Sequence, residues 1–148
     1  MNRLFAIVLV LSMLAISTNV PAQQSVDFDE YVVHYNALLS NLIPPEMAQA
    51  YGIQRSSNQA VLNITVLRKE ENAIATPVHA DVSASAVNLS GQRRTIKMRE
   101  ISDLSGAVYY IGDLRVYNME SFDFTVNVEI EGLEEPAIVQ FSQQFYTE

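Results

Sequence analysis

The chain has 148 residues, with 17 acidic against nine basic side chains, a formal net charge of −8 and no cysteine. A surface this acidic repels phosphate backbones and anionic lipid headgroups, so nucleic acids and anionic membranes are poor candidate partners. Without cysteine the fold has no disulfides and must be held together by its hydrophobic core.

The first 22 residues have the pattern of a cleavable export signal. Arg3 precedes an apolar run at residues 4–16, interrupted only by Ser12, and Val20 and Ala22 occupy the third and first positions before a bond after Ala22. A membrane-spanning helix needs roughly 20 apolar residues, so this run is too short to favour an uncleaved anchor. We therefore predict a signal peptide at 1–22, a single domain at 23–148, a periplasmic location in a Gram-negative bacterium and no stable membrane anchor after cleavage.

The rest of the chain is predicted to be almost entirely strands, with turn residues between them at nearly regular spacing. Alternation is clearest where Phe122, Phe124 and Val126 interleave with Asp123 and Thr125. Two prolines at its start and Gly52 at its end predict one short helix at 44–52, between the first two strands. We predict an all-β, antiparallel two-sheet sandwich of about seven strands. In chain order the predicted strands are 31–39, 60–67, 79–89, 95–101, 107–117 around a bulge or bend at Gly112-Asp113, 122–131 and 137–146.

The sequence contains no arrangement of residues that specifies catalysis. It has no Gly-x-Ser-x-Gly turn and no cysteine nucleophile, and its paired carboxylates lie in stretches typical of solvated loops. A zinc site would need His34, His79 and Asp81 to be brought together by the fold. We therefore predict no catalytic residue, no metal site and no cofactor, and we expect that the protein is not an enzyme.

Tyrosine is the most unusual part of the composition, since the chain has seven tyrosines and no tryptophan. Tyr109 and Tyr110 are neighbours in a predicted strand and must point to opposite faces of the sheet, so at least one of them is expected outside the core. An exposed tyrosine edge and hydroxyl suit a binding patch for a peptide or a glycan, although tyrosine is also a good strand former.

Several segments resemble the family catalogued as domain of unknown function 4426, which comprises short exported proteobacterial proteins. They are His34-Tyr35-Asn36-Ala37-Leu38, Leu42-Ile43-Pro44 with Ala48, Tyr51-Gly52-Ile53, and Asn63-Ile64-Thr65-Val66. The resemblance covers essentially the whole region after the leader. It implies a periplasmic protein with an immunoglobulin-like sandwich, and it supplies no activity, ligand or catalytic residue.

These observations favour a non-catalytic binding or assembly module of the cell envelope, whose partner would be another envelope protein. Two alternatives stay open: a receptor for a small ligand or glycan that uses surface tyrosines, and a metal-assisted enzyme built on His34 and His79. The sequence does not indicate the oligomeric state. The candidate partner-binding residues are His34, Tyr35, Asn36, Tyr51, Tyr109 and Tyr110.

The leader gives a direct prediction. Protein recovered from the periplasm should have the intact mass of residues 23–148, because signal peptidase requires a small residue before the cleaved bond. Replacing Ala22 with Tyr should block this cleavage and leave the leader attached. A wild-type mass that still includes residues 1–22 would contradict the assignment.

Overall fold

Alternating inward and outward residues build two antiparallel sheets from ten strands. The computed structural model describes residues 24–147, so the predicted leader and its cleavage site lie outside the described residues. Within that range, no helix has the length and apolar character needed to cross a membrane. The elements are β1 (Ser25–Phe28), β2 (Tyr31–Leu39), a 3-10 turn (Ser40–Leu42), α1 (Pro45–Ala50), β3 (Gln59–Arg68), β4 (Thr76–Pro77), β5 (Asp81–Asn88), β6 (Arg93–Ile96), β7 (Arg99–Ser102), β8 (Val108–Arg115), β9 (Glu120–Glu129) and β10 (Ala137–Phe145).

The strand order identifies the type of sandwich. Sheet A has the order β1-β2-β3-β8-β7, with β4 paired to the end of β3, and sheet B has the order β10-β9-β5-β6. In the nomenclature of immunoglobulin domains, strands A, B, E and D correspond to β2, β3, β8 and β7, and strands C, F and G correspond to β5, β9 and β10. The two sheets therefore have the ABED and CFG arrangement of an immunoglobulin-like domain. The predicted antiparallel sandwich is therefore confirmed, with β1, β4 and β6 added to the seven-strand pattern.

Aromatic residues connect the two sheets across the core. Phe124 of β9 stacks on Phe141 of β10 with ring centroids 4.7 Å apart, and Phe141 in turn stacks on Tyr35 of sheet A at 4.6 Å. Aliphatic side chains such as Leu62 and Ile64 of β3, each at most 1% exposed, fill the space around this column. Burying a large apolar side chain is worth about 1.5–3 kcal/mol, so this core can stabilise the domain without disulfides.

Two short strands of sheet A were not predicted from the sequence. β1 pairs with β2 through a tight turn in which Asp29 has a left-handed backbone (φ 48°), and β4 pairs with only two residues of β3. The helix lies where it was predicted, between the strands at 31–39 and 60–67, and these are the second and third strands because β1 precedes them. Val26 and Phe28 of β1 alternate and pack against the core, which is the signal that could have revealed this strand.

Residues 95–101 form two strands in different sheets instead of the single predicted strand. β6 ends at Ile96 in sheet B and β7 begins at Arg99 in sheet A, so Lys97 and Met98 carry the chain from one sheet to the other. Sandwiches form such corners where a strand changes sheet. β8 is continuous and lacks the predicted bend at Gly112.

Gly112 makes room for this crossing. A Cβ atom at Gly112 would overlap Cγ2 of Ile96 and would lie 2.6 Å from Sδ of Met98, which is well inside van der Waals contact. Glycine in a strand interior often marks a place where another part of the chain approaches closely. Gly112, which was predicted at a bend, is therefore needed because the segment from Ile96 to Met98 packs directly against β8.

We expect Gly112→Ala to lower the free energy of unfolding by about 1–3 kcal/mol, because the new methyl group overpacks the crossing. Urea denaturation measures this change. In an Ile96→Ala background the same substitution should lower the free energy of unfolding by less, because the Ile96 methyl group that the new Cβ would overlap is absent. Equal costs in the two backgrounds would contradict the contact.

Candidate functional site

A second, smaller hydrophobic cluster lies on the outer face of sheet A. Residues 40–58, which connect β2 to β3, fold back over this face and pack Ile43, Ala48 and Ile53 against Val61 of β3 and Ile111 of β8. These five side chains are at most 7% exposed. The connection is therefore a packed part of the fold, unlike an ordinary surface loop.

The helix in this connection begins and ends as its sequence predicts. Pro45 occupies the first helical turn, where its missing N–H is tolerated. Gly52 takes a left-handed conformation (φ 62°) just beyond the helix, and the N–H of Ile53 then donates to the carbonyl of Ala48 at 2.7 Å. This turn brings Ile53 back onto the sheet.

Polar groups fasten the connection at both ends. The hydroxyl of Ser40, which is fully buried, accepts the N–H of Ser56 at 2.8 Å and donates to its carbonyl oxygen at 3.1 Å. Arg55 donates from Nε to the carbonyl of Ile43 at 2.8 Å, and Arg99 of β7 donates to the carbonyl of Tyr51 at 2.6 Å. Charge-assisted bonds of this kind are stronger than neutral ones, so they hold the connection in place over the sheet.

An open cavity of about 340 Å³ remains between this connection and the strands, and we call it the outer groove. Its lining is mainly apolar, and its polar side-chain groups are two asparagine amides and two tyrosine hydroxyls. Leu42 and Met47 at its rim are exposed to 67% and 48%, which is high for large apolar side chains. The lining residues are Asn36, Leu38, Leu42, Ile43, Pro44, Met47, Tyr51, Ile53, Val61, Asn63, Tyr109 and Ile111.

The two amides of the outer groove lie side by side on neighbouring strands. Asn36 of β2 and Asn63 of β3 are directly opposite in the antiparallel register. The side-chain oxygen of Asn63 is shielded from solvent and accepts no hydrogen bond from any of the described residues. A buried acceptor without a donor costs about 1–3 kcal/mol, so a hydrogen-bond donor supplied to it would be stabilising.

Two tyrosines form one wall of the outer groove. The rings of Tyr51, just after α1, and Tyr109 of β8 lie 5.8 Å apart at 40°. Burial raises the pKa of Tyr109, and the nearby Tyr51 raises it further. The Tyr109 hydroxyl therefore stays protonated and can donate a hydrogen bond at any physiological pH.

The structure separates the six predicted partner-binding residues into two groups. Asn36, Tyr51 and Tyr109 line the outer groove, and His34 is on the same face of β2, opposite Thr65. Tyr35 and Tyr110 point the other way, into the space between the sheets. Successive residues of a strand alternate between faces, so His34-Tyr35-Asn36 and Tyr109-Tyr110 could not all have faced one site.

Tyr110 serves a structural hydrogen-bond network. It is 3% exposed, its hydroxyl accepts the N–H of Ala80 at 2.7 Å, and it donates to Glu100 at 3.0 Å. Nδ1 of His79 lies 3.1 Å from the same carboxylate. The hydrogen bond from His79 is the main cause that lowers the pKa of Glu100, and burial raises the pKa of Tyr110 to about 12.

The fold does not bring the two histidines together. His79 contacts Glu100 of β7, whereas His34 is on the outer face of β2, and β3 and β8 lie between these strands. Strands β2 and β7 are three strand spacings apart, or about 14 Å. Among residues 24–147, no group of three acidic or histidine side chains is arranged to hold a metal ion.

Comparison with known proteins assigns the chain to a family. The model of the family described as "Domain of unknown function (DUF4426)" matches residues 25–148. The chain belongs to this DUF4426 family. The crystal structure of a DUF4426 family protein from Pseudomonas aeruginosa PAO1 is 31% identical, with a TM-score of 0.70, and the match covers 83% of this chain and 94% of that one. No curated protein matches the chain. The resemblance seen in the sequence is thereby confirmed.

Much of the outer groove was not predicted from the sequence. Leu42 and Asn63 were named only for the family resemblance, Met47 lay within the predicted helix 44–52, and none of the three was a candidate site residue. The Asn63 amide lies between Val61 and Thr65 on one face of β3, and an amide in this largely apolar strand was a weak signal of a binding site. Its pairing with Asn36 depends on strand register, which the local sequence does not specify.

We expect Tyr110→Phe to lower the free energy of unfolding by about 1–3 kcal/mol, because the N–H of Ala80 and the carboxylate of Glu100 each lose a partner. The folded pKa of about 12 exceeds the ordinary value of 10.0, so the contribution of the neutral phenol is complete below pH 10 and disappears as the pH rises from 10 to 12. Urea denaturation at several pH values in this range should show that loss in wild type and a smaller one in the variant. The exposed Tyr117→Phe is the control, and an identical pH profile for wild type and Tyr110→Phe would contradict the network.

Proposed function

We propose that this DUF4426 protein is a non-catalytic binding module of the cell envelope, exported to the periplasm by residues 1–22, and that its binding site is the outer groove. The observation that carries the proposal is the solvent-shielded oxygen of Asn63, which has no donor among the described residues, in the floor of an open apolar groove. A site that binds a ligand commonly combines an apolar lining with a few polar groups that fix orientation.

The chemistry of the outer groove favours an apolar side chain of a partner protein as its occupant. A volume of about 340 Å³ is at the lower end of the range for ligand sites, roughly 300–1,000 Å³, and is large enough for one or two side chains. A primary amide carries the same donor and acceptor as a peptide group. Asn36 and Asn63 could therefore hydrogen-bond the backbone beside the inserted side chain, after a small rotation of the Asn63 amide.

The second candidate is a receptor for a small ligand or glycan, which the ring pair of Tyr51 and Tyr109 favours. Aromatic faces bind the apolar side of a sugar ring. A sugar also carries many hydroxyl groups, and this lining offers only two amides and two phenols to pair with them. The protein partner is therefore the better-supported occupant.

We expect a photo-crosslinker placed at Tyr109 in living cells to give a reproducible adduct with one envelope protein. Adding Met47→Glu or Leu42→Glu should reduce this adduct at least tenfold, because a carboxylate at the rim disfavours entry of an apolar group into the groove. Both side chains are largely exposed, so the domain should remain folded. Mass spectrometry identifies the adduct, and circular dichroism checks the fold.

The control is Leu89→Glu, which adds the same charge at an 84% exposed leucine in the turn between β5 and β6 of sheet B. It should leave the adduct unchanged. An adduct that survives both groove substitutions would overturn the proposed site. The absence of any protein adduct, together with binding of a small molecule that Met47→Glu abolishes, would favour the second candidate.

A further inference from the structure

β10 is a long strand at the open edge of sheet B. Its nine residues pair along their whole length with β9. No other strand within residues 24–147 pairs with its second side, because β10 is the outermost strand in the order β10-β9-β5-β6. An edge of this length presents a row of backbone N–H and C=O groups that can bind a further strand.

The other edges of this domain are protected, whereas β10 is not. Native proteins discourage pairing at an edge by keeping the strand short or by placing a charge or a proline in it. Each other edge strand has at most four residues and carries such a residue: Asp27 in β1, Pro77 in β4, Arg93 and Arg94 in β6, and Arg99 and Glu100 in β7. The sequence of β10, AIVQFSQQF, has neither a charge nor a proline.

The side chains that β10 presents on the outer face of sheet B are also neutral. Ile138 is 51% exposed, and Gln140, Ser142 and Gln144 are exposed too. The nearest carboxylate on β9 in this register, Asp123, accepts a hydrogen bond from the Ser142 hydroxyl. The residues of β10 therefore form a neutral strip on a chain whose net charge is −8, and the carboxylates of Asp29, Glu30, Glu134 and Glu135 are confined to the end of the edge beside Ala137 and Ile138.

We infer that β10 pairs antiparallel with β10 of a second copy of this chain and so joins two B sheets into one eight-stranded sheet. Like charges directly opposite each other on paired strands are destabilising. Two copies of so acidic a chain repel each other overall, and the neutral strip lets them meet without opposing like charges within the strand. A two-fold axis satisfies both open edges in a single contact and leaves the arginine-bearing β6 at each end of the joined sheet.

The test measures the oligomeric state of the purified chain by sedimentation velocity. Wild type should sediment as a dimer at about 100 μM, a concentration at which a micromolar complex is nearly saturated. Gln140→Lys should weaken dimerisation roughly tenfold or more, because the two-fold axis brings the new charges of both copies to the same edge. Ser83→Lys, on the same face in the central strand β5, adds the same charge away from the edge and should leave the dimer intact.

The absence of native cysteine allows a geometric test of the strand contact. Single-cysteine variants at positions 138, 140, 142 and 144 are oxidised alone and in pairwise mixtures. Directly opposite residues of antiparallel strands have Cα atoms about 4.5–5.5 Å apart, within the range that a disulfide spans. The register fixes the sum of the two position numbers in every directly opposite pair, so only combinations that share one sum should cross-link efficiently, and Ser83→Cys should not.

A chain that stays monomeric at this concentration, or a dimer that Gln140→Lys and Ser83→Lys affect equally, would overturn the inference. If a crosslinker at Gln140 in cells captures a different protein and no second copy, the edge belongs to that partner and self-pairing is wrong. The outer groove lies on sheet A, so Met47→Glu should not alter the sedimentation of the dimer. The two proposals can thus fail separately.

Discussion

The buried hydroxyl of Ser40 fixes the geometry on which the outer groove depends. It lies where β2 ends, is fully shielded from solvent, and makes two hydrogen bonds with the backbone of Ser56, 16 residues further along the chain. A closed loop of this length has little freedom to leave the sheet, since its ends are tied together and its middle is packed. The helix, the rim residues Leu42 and Met47, and Tyr51 all lie within this closed loop, whereas Tyr109 is held by β8.

The closure gives sheet A two covered faces. Its inner face forms the main core with sheet B, and its outer face carries the smaller cluster around Val61 and Ile111. In an ordinary sandwich the outer face of a sheet is solvated and polar. Here the connection at residues 40–58 covers only part of the outer face of sheet A. The apolar strand residues beside it stay open to solvent and form the outer groove.

Charge and hydrogen bonding divide the surface into regions with different properties. The end of the sandwich near Tyr110 is held by a satisfied network in which Glu100 accepts hydrogen bonds from Tyr110 and Ser102 and lies beside His79. The outer groove contains an unsatisfied acceptor, and β10 offers an unprotected edge. Satisfied polar groups stabilise the free protein, whereas unsatisfied ones are the places where a partner can add hydrogen bonds.

Signals within short stretches of the sequence predict most elements of this protein and, for the clearest strands, the face that each one buries. Strand β2 was placed to the residue, α1 was placed between its prolines and Gly52, and β9 was evident from alternating phenylalanines, because these signals lie within a few residues of each other. The local signals do not show which elements are neighbours: the fold places Asn36 beside Asn63, carries residues 95–101 from one sheet to the other over Gly112, and leaves β10 at an edge. A period of two shows which side of a strand is buried, but register and strand order follow from packing between residues far apart in the chain.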